Sequence, residues 1–155
     1  MTNLELIPLL RFKTDRINDE WTADELDKRF TAIIMLILAY NLKEANKLDK
    51  PCIFVKITDI CRTQNEQDAI YAKNEKYKQT KWKSVHQYWR GIDIICELQD
   101  GTNMSEEWHK DLMNWLNSTV KYCKSCSHNT ALYHDVGHGG HLHLQVYWEN
   151  ETRLV

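Results

Sequence analysis

The sequence reads as an α+β fold, with helices flanking a small and largely antiparallel sheet. Three observations lead there. Leu26, Phe30, Ile33, Ile34, Leu38 and Leu42 recur near helical spacing. Short runs rich in β-branched and aromatic residues, bounded by turn formers, read as strands. No repeat, low-complexity tract or Pro/Gly-rich linker breaks the 155 residues, so a single domain over 1–155 is expected.

Taken in order, Thr22 followed by Glu25 has the pattern of a capping box and predicts a helix running to about Leu48. Ile33 to Tyr40 is apolar nearly all round, which predicts a buried middle for that helix. Pro51 closes it, and Cys52 to Thr58 reads as a strand. The polar stretch Arg62 to Lys81 has helical character from Glu66 to Asn74. Gly91 to Cys96 is a second short strand. Ser105 then caps a helix through Tyr122, with Trp108, Leu112, Trp115, Leu116 and Val120 as its apolar stripe. Ala131 to His134 and His141 to Tyr147 are the last strands, lying around Gly137, Gly139 and Gly140.

Composition excludes several classes. Hydrophobic residues at 43% and charged residues at 27% fit a globular chain, not a disordered one. A net charge of −2 supplies no global field for nucleic acid, and Lys73, Lys76, Lys78, Lys81 and Lys83 read as a solvated segment. The N-terminus carries Glu5 early and no basic n-region before a long apolar stretch. Ile33 to Tyr40 falls far short of the ~20 residues of a membrane span. Cytoplasmic synthesis without a signal peptide and without a transmembrane segment is expected, so work in the periplasm or cell wall would need another export route. The five cysteines (Cys52, Cys61, Cys96, Cys123 and Cys126) are an odd number, which argues against a full disulfide framework. Cys123 and Cys126 have C-x-x-C spacing but no matching second pair, and read as structural or incidental.

The histidines are unevenly spread. Four of the seven lie between 134 and 143, and His86 precedes Asp93 by seven residues. A catalytic zinc takes three protein ligands of imidazole or carboxylate type and keeps one position open, so His86, Asp93 and one later histidine would suffice. His141 and His143 sit two apart on an expected strand and therefore share a face, while Leu142 and Leu144 point to the other. His109, off the apolar stripe of its helix, and His128, in a polar loop, read as ordinary structural residues.

Ser84-Val85-His86-Gln87-Tyr88-Trp89-Arg90-Gly91-Ile92-Asp93 resembles the S-x-H-x(6)-D block of the LAS-type zinc metallopeptidases, including the glycine two residues before the aspartate. That group contains D-Ala-D-Ala carboxypeptidases, phage L-alanyl-D-glutamate endopeptidases, lysostaphin-type enzymes and the hedgehog fold. His141-Leu142-His143-Leu144-Gln145-Val146 is similar to its second block, H-x-H on a strand. Thr58 to Gln67 resembles the segment in which a strand end delivers an arginine before a Gln-containing helix. The blocks run in the family's order from about 53 to 148; the first 50 residues carry no motif.

The resemblance implies a hedgehog/D-Ala-D-Ala-peptidase-like fold and a Zn2+ held by His86, Asp93 and His143. It implies that His141 stands beside the metal as general base or oxyanion stabiliser. Arg62 would offer a fixed charge to the oxyanion or a substrate carboxylate, and Ser84 would belong to the substrate-binding region. The implied reaction is hydrolysis of peptidoglycan stem peptides, in the manner of a phage endolysin or a bacterial carboxypeptidase. One departure stands out: carboxypeptidase-like members place an acid three residues before the last ligand, and here that residue is Gly140. A second register, with Asp135 as base and His138 as ligand, restores the acid. The His143 register is preferred because a strand follows that residue, whereas His138 sits among glycines. Two other classes are weighed against a peptidase: a non-catalytic zinc-binding module of the same fold, and a peptidoglycan amidase.

Overall fold

The computed structural model describes residues 7–73, 84–120, 129–135 and 139–146. After a 3-10 turn at Ile7–Leu9, the elements in chain order are β1 (Leu10–Phe12), α1 (Asp15–Trp21), α2 (Arg29–Lys47), β2 (Phe54–Asp59), α3 (Gln64–Ala72), β3 (Gly91–Glu97), α4 (Glu106–Thr119), β4 (Ala131–Asp135) and β5 (Gly140–Gln145). A 3-10 turn, Val85–Tyr88, leads into β3. The fold is α+β, with a five-stranded mixed sheet in the order β1-β2-β3-β5-β4. β1 runs parallel to β2, and the remaining neighbours are antiparallel. The parallel pair exists because α1 and α2 carry the chain back across the sheet between the two strands.

The N-terminal third corrects the sequence reading. Thr22 does not open a helix; it is the C-cap of α1, whose own N-cap, Thr14, accepts from the Ile17 N–H. α2 begins only at Arg29, where the Asp27 carboxylate accepts the Arg29 N–H at 3.0 Å. Leu26 lies in the intervening turn yet is buried, so a turn residue continued the apolar pattern. β1 and α1 were not expected at all. α3 starts with a complete capping box of Thr63 and Glu66. α4 is capped by Ser105 as expected but ends at Thr119, with Val120 extended; Tyr122 lies outside the described residues.

Alternation divides the sheet into two unlike faces. Val55, Ile57, Ile92, Ile94, Leu142 and Leu144 are fully buried and form one core with Phe30, Ile33, Ile34, Ile37 and Leu38 of α2 and Leu112 and Leu116 of α4. At ~25 cal/mol per Å2 of apolar surface buried, each such side chain contributes about 1.5–3 kcal/mol before its ordering cost. Asp93 and His143 are cross-strand partners on the opposite face. α2 and α4 therefore supply stability on one side, and the polar chemistry collects on the other, where Gln67 of α3 meets Arg62.

Candidate metal centre

His86, Asp93 and His143 come from three separate stretches and meet in one buried group that could hold a metal ion. The Ser84 hydroxyl, itself buried, accepts the His86 N–H at 3.3 Å and caps the 3-10 turn that carries His86. The turn closes with Trp89 in the left-handed region at φ 58°, a conformation that bulky residues adopt only when their surroundings impose it. Gly91 then lets the turn lie against β3: a Cβ there would come within 2.6 Å of Val85 Cγ2 and 3.2 Å of His143 Cε1. The glycine two residues before Asp93 is thus a packing requirement of the site.

Both histidines have their outward nitrogen assigned by a neighbour. His86 Nδ1 lies 2.8 Å from the Ile60 carbonyl oxygen, which can only accept, so Nδ1 carries the proton and donates it. Gln145 donates its amide N–H to Asn129 O at 2.8 Å, which turns its Oε1 toward His143 Nε2 at 3.2 Å. His143 can therefore donate from Nε2, which leaves Nδ1 free to act as a ligand atom. With each ring protonated at its outer nitrogen, the inward atoms are three acceptors. His143 Nδ1 lies 2.8 Å from Asp93 Oδ1, His86 Nε2 lies 3.3 Å from the same oxygen, and the two ring nitrogens are 3.2 Å apart. Lone pairs converging at these distances repel unless a cation is shared among them, and two imidazoles with a carboxylate are donors suited to a divalent transition metal.

Burial disfavours ionisation of Asp93, but the His86 and His143 rings outweigh it and hold the carboxyl well below the usual carboxylate range. Burial pushes His143 below the ordinary histidine value, although the neighbouring Asp93 carboxylate favours the protonated ring. Neutral imidazole and ionised carboxylate are the forms that bind metal.

Around the trio stand two further imidazoles. His141 Nε2 is 3.7 Å from Asp93 Oδ2, and its side chain is 22% exposed, so it faces the solvent side of the group. His134 is the cross-strand partner of His141, with ring centroids 5.7 Å apart, and its ring is 5.6 Å from that of His143. Burial, then the nearby His143 and His141, lower the His134 pKa to about 4. Arg62 reaches Asp93 Oδ2 at 3.0 Å and also bonds Asp59 and Gln67. Glu66, one turn further on, pairs with Arg16 at 3.1 Å and not with Arg62.

No protein-family model, curated protein or solved structure matches this chain. What the site can do is therefore read from its own geometry.

Other sequence-derived candidates fall elsewhere. Asp135 is exposed at the end of β4, opposite Gly140, and is not a member of the buried trio. His138, His128, Cys123 and Cys126 lie outside the described residues, as do Lys76, Lys78, Lys81 and Lys83. His109 is buried rather than peripheral: its Nε2 accepts the Cys96 N–H at 2.9 Å and its Nδ1 donates to Ser105 O at 2.9 Å, a satisfied core histidine joining α4 to β3. Cys96 is buried beside it with its thiol pushed up to about 12 by burial, hence unreactive. Gln145 was missed by sequence reasoning although the alternation that pairs His141 with His143 also reaches it.

Proposed function

We propose that this protein is a zinc-dependent peptidase acting on peptidoglycan stem peptides. One observation carries the reading: a ligand atom from each of His86, Asp93 and His143 converges in one buried group, and among the described residues no fourth histidine, cysteine or carboxylate joins them. A structural zinc is normally closed by four protein ligands, whereas a catalytic one keeps a position open. The N2O donor set suits Zn2+, and the S-x-H-x(6)-D and H-x-H spacing favours the LAS-type peptidases over an amidase.

When bound, the metal would polarise a scissile carbonyl and lower the pKa of bound water towards about 7. The chain's own contribution is proton handling and positioning. His141 lies next to the trio on its exposed side, where it would accept a proton from the attacking water and return it to the leaving amine. His134 backs His141 across the strand pair and, staying neutral, adds no positive charge against a cation. With Gly140 in the position of the family's acid, a histidine base replaces a carboxylate.

The test is incubation of the zinc-loaded protein with purified muropeptides, followed by chromatography that separates D-Ala release from internal cleavage. Hydrolysis abolished by a chelator is expected, and His141→Ala should keep its zinc while losing on the order of 10²-fold or more in turnover. Intact muropeptides after prolonged incubation with the zinc-loaded protein would overturn the peptidase reading.

A further inference from the structure

We infer that Arg62 is a positioning residue for Asp93: it secures one carboxylate oxygen so that the other alone faces the metal-binding group. This inference rests on the metal-centre reading above. The two oxygens of Asp93 have different company. Oδ1 converges with His143 Nδ1 and His86 Nε2 at 2.8 and 3.3 Å, while Oδ2 receives the Arg62 NH2 group at 3.0 Å. The guanidinium is itself fixed from both sides, its Nε donating to Asp59 Oδ2 and its NH1 to Gln67 Oε1 at 3.3 Å. All three guanidinium nitrogens are thus committed to protein acceptors, and the side chain is 16% exposed.

The backbone explains why an arginine is needed here. The β2–β3 register shifts between Ile57 and Asp59, which brings Asp59 opposite Asp93. A shift of this kind re-aims a side chain beside a site, and two carboxylates directly across a strand pair repel. Arg62, at the start of the capped turn into α3, bridges them with its planar fork, a geometry that the single ammonium of lysine cannot reproduce. A free second oxygen on Asp93 would let the carboxylate rotate or chelate, loosening the coordination that the two histidines define. Outer partners of metal ligands typically contribute 10–100-fold in metal affinity through this kind of orientation.

The experiment is Zn2+ affinity by chelator competition on the full chain, with thermal unfolding of each metal-free variant alongside. Arg62→Lys keeps the formal charge, so any change reports geometry and not electrostatics. It should bind Zn2+ 10–100-fold more weakly than wild type. Asp59→Asn should weaken binding to a smaller extent, and its effect should largely vanish in the Arg62→Lys background, since both act through the same carboxylate. Wild-type protein that fails to bind Zn2+ would remove the metal-centre reading itself. Tight wild-type binding with Arg62→Lys indistinguishable from it would overturn the role of Arg62 alone. A lowered melting temperature at unchanged affinity would likewise overturn it, leaving a bridge that serves only the sheet.

Discussion

Gln145 favours a proton at His143 Nε2, because it presents an acceptor there and has its own amide N–H engaged by the Asn129 carbonyl oxygen. A proton held there leaves Nδ1 as the ligand atom for a metal. Gln145→Met keeps a side chain of similar length but removes the acceptor, freeing His143 to protonate at Nδ1. Zinc affinity should fall by about 10–100-fold, measured by titration against a competing chelator. Unchanged affinity would mean that the tautomer is set by something else. At this scale much of the site was legible: alternation on a strand placed His141 and His143 on one face, and the same rule reaches Gln145. The partnership of His134 with His141 was not legible, because it depends on the β4–β5 register, which residue spacing does not fix.

Among elements, the segments with strong periodicity or caps were readable, and those with weak signals were not. β2 and β3 match runs rich in β-branched residues, β5 matches an alternation of histidine and leucine, and α4 matches a capped apolar stripe. The entry to α2 was misread because Thr22 and Glu25 imitate a capping box, while the actual start rests on Asp27 accepting the Arg29 N–H. β1 has three residues, too few for alternation to show, and its place at the sheet edge is fixed by pairing with β2. The α4–β3 joint carries a pH dependence. His109 accepts the Cys96 N–H, which requires an unprotonated Nε2, and burial holds its pKa below the ordinary value. The unfolded chain takes up a proton near pH 6.5, so this contribution is present above that pH. It is lost as pH falls through the lower folded value. Urea midpoints of the metal-free protein should drop below about pH 6.5, and His109→Gln should be less stable at neutral pH but show a flatter slope in that window. An undiminished slope in His109→Gln would assign the dependence to other groups.

For the whole molecule, packing α2 and α4 on one face of the mixed sheet leaves the other face to hold polar groups that a core would reject. The fold class was legible in the order of elements, whereas the parallel β1–β2 pair was not, since it depends on an unforeseen strand. No helix among the described residues is long and apolar enough to cross a membrane. Because His86, Asp93 and His143 are drawn from a turn and two strands distant in sequence, the donor set exists only in the folded sheet. A metal bound there is linked to global stability, by ~2.7 kcal/mol at a free concentration 100-fold above Kd. The most direct measurement of the central claim is the zinc count of purified protein by native mass spectrometry, wild type beside Asp93→Ala. One zinc per wild-type chain and none retained by Asp93→Ala is the expected result. A wild-type chain that takes up no zinc, or an Asp93→Ala chain that keeps its full complement, would contradict it.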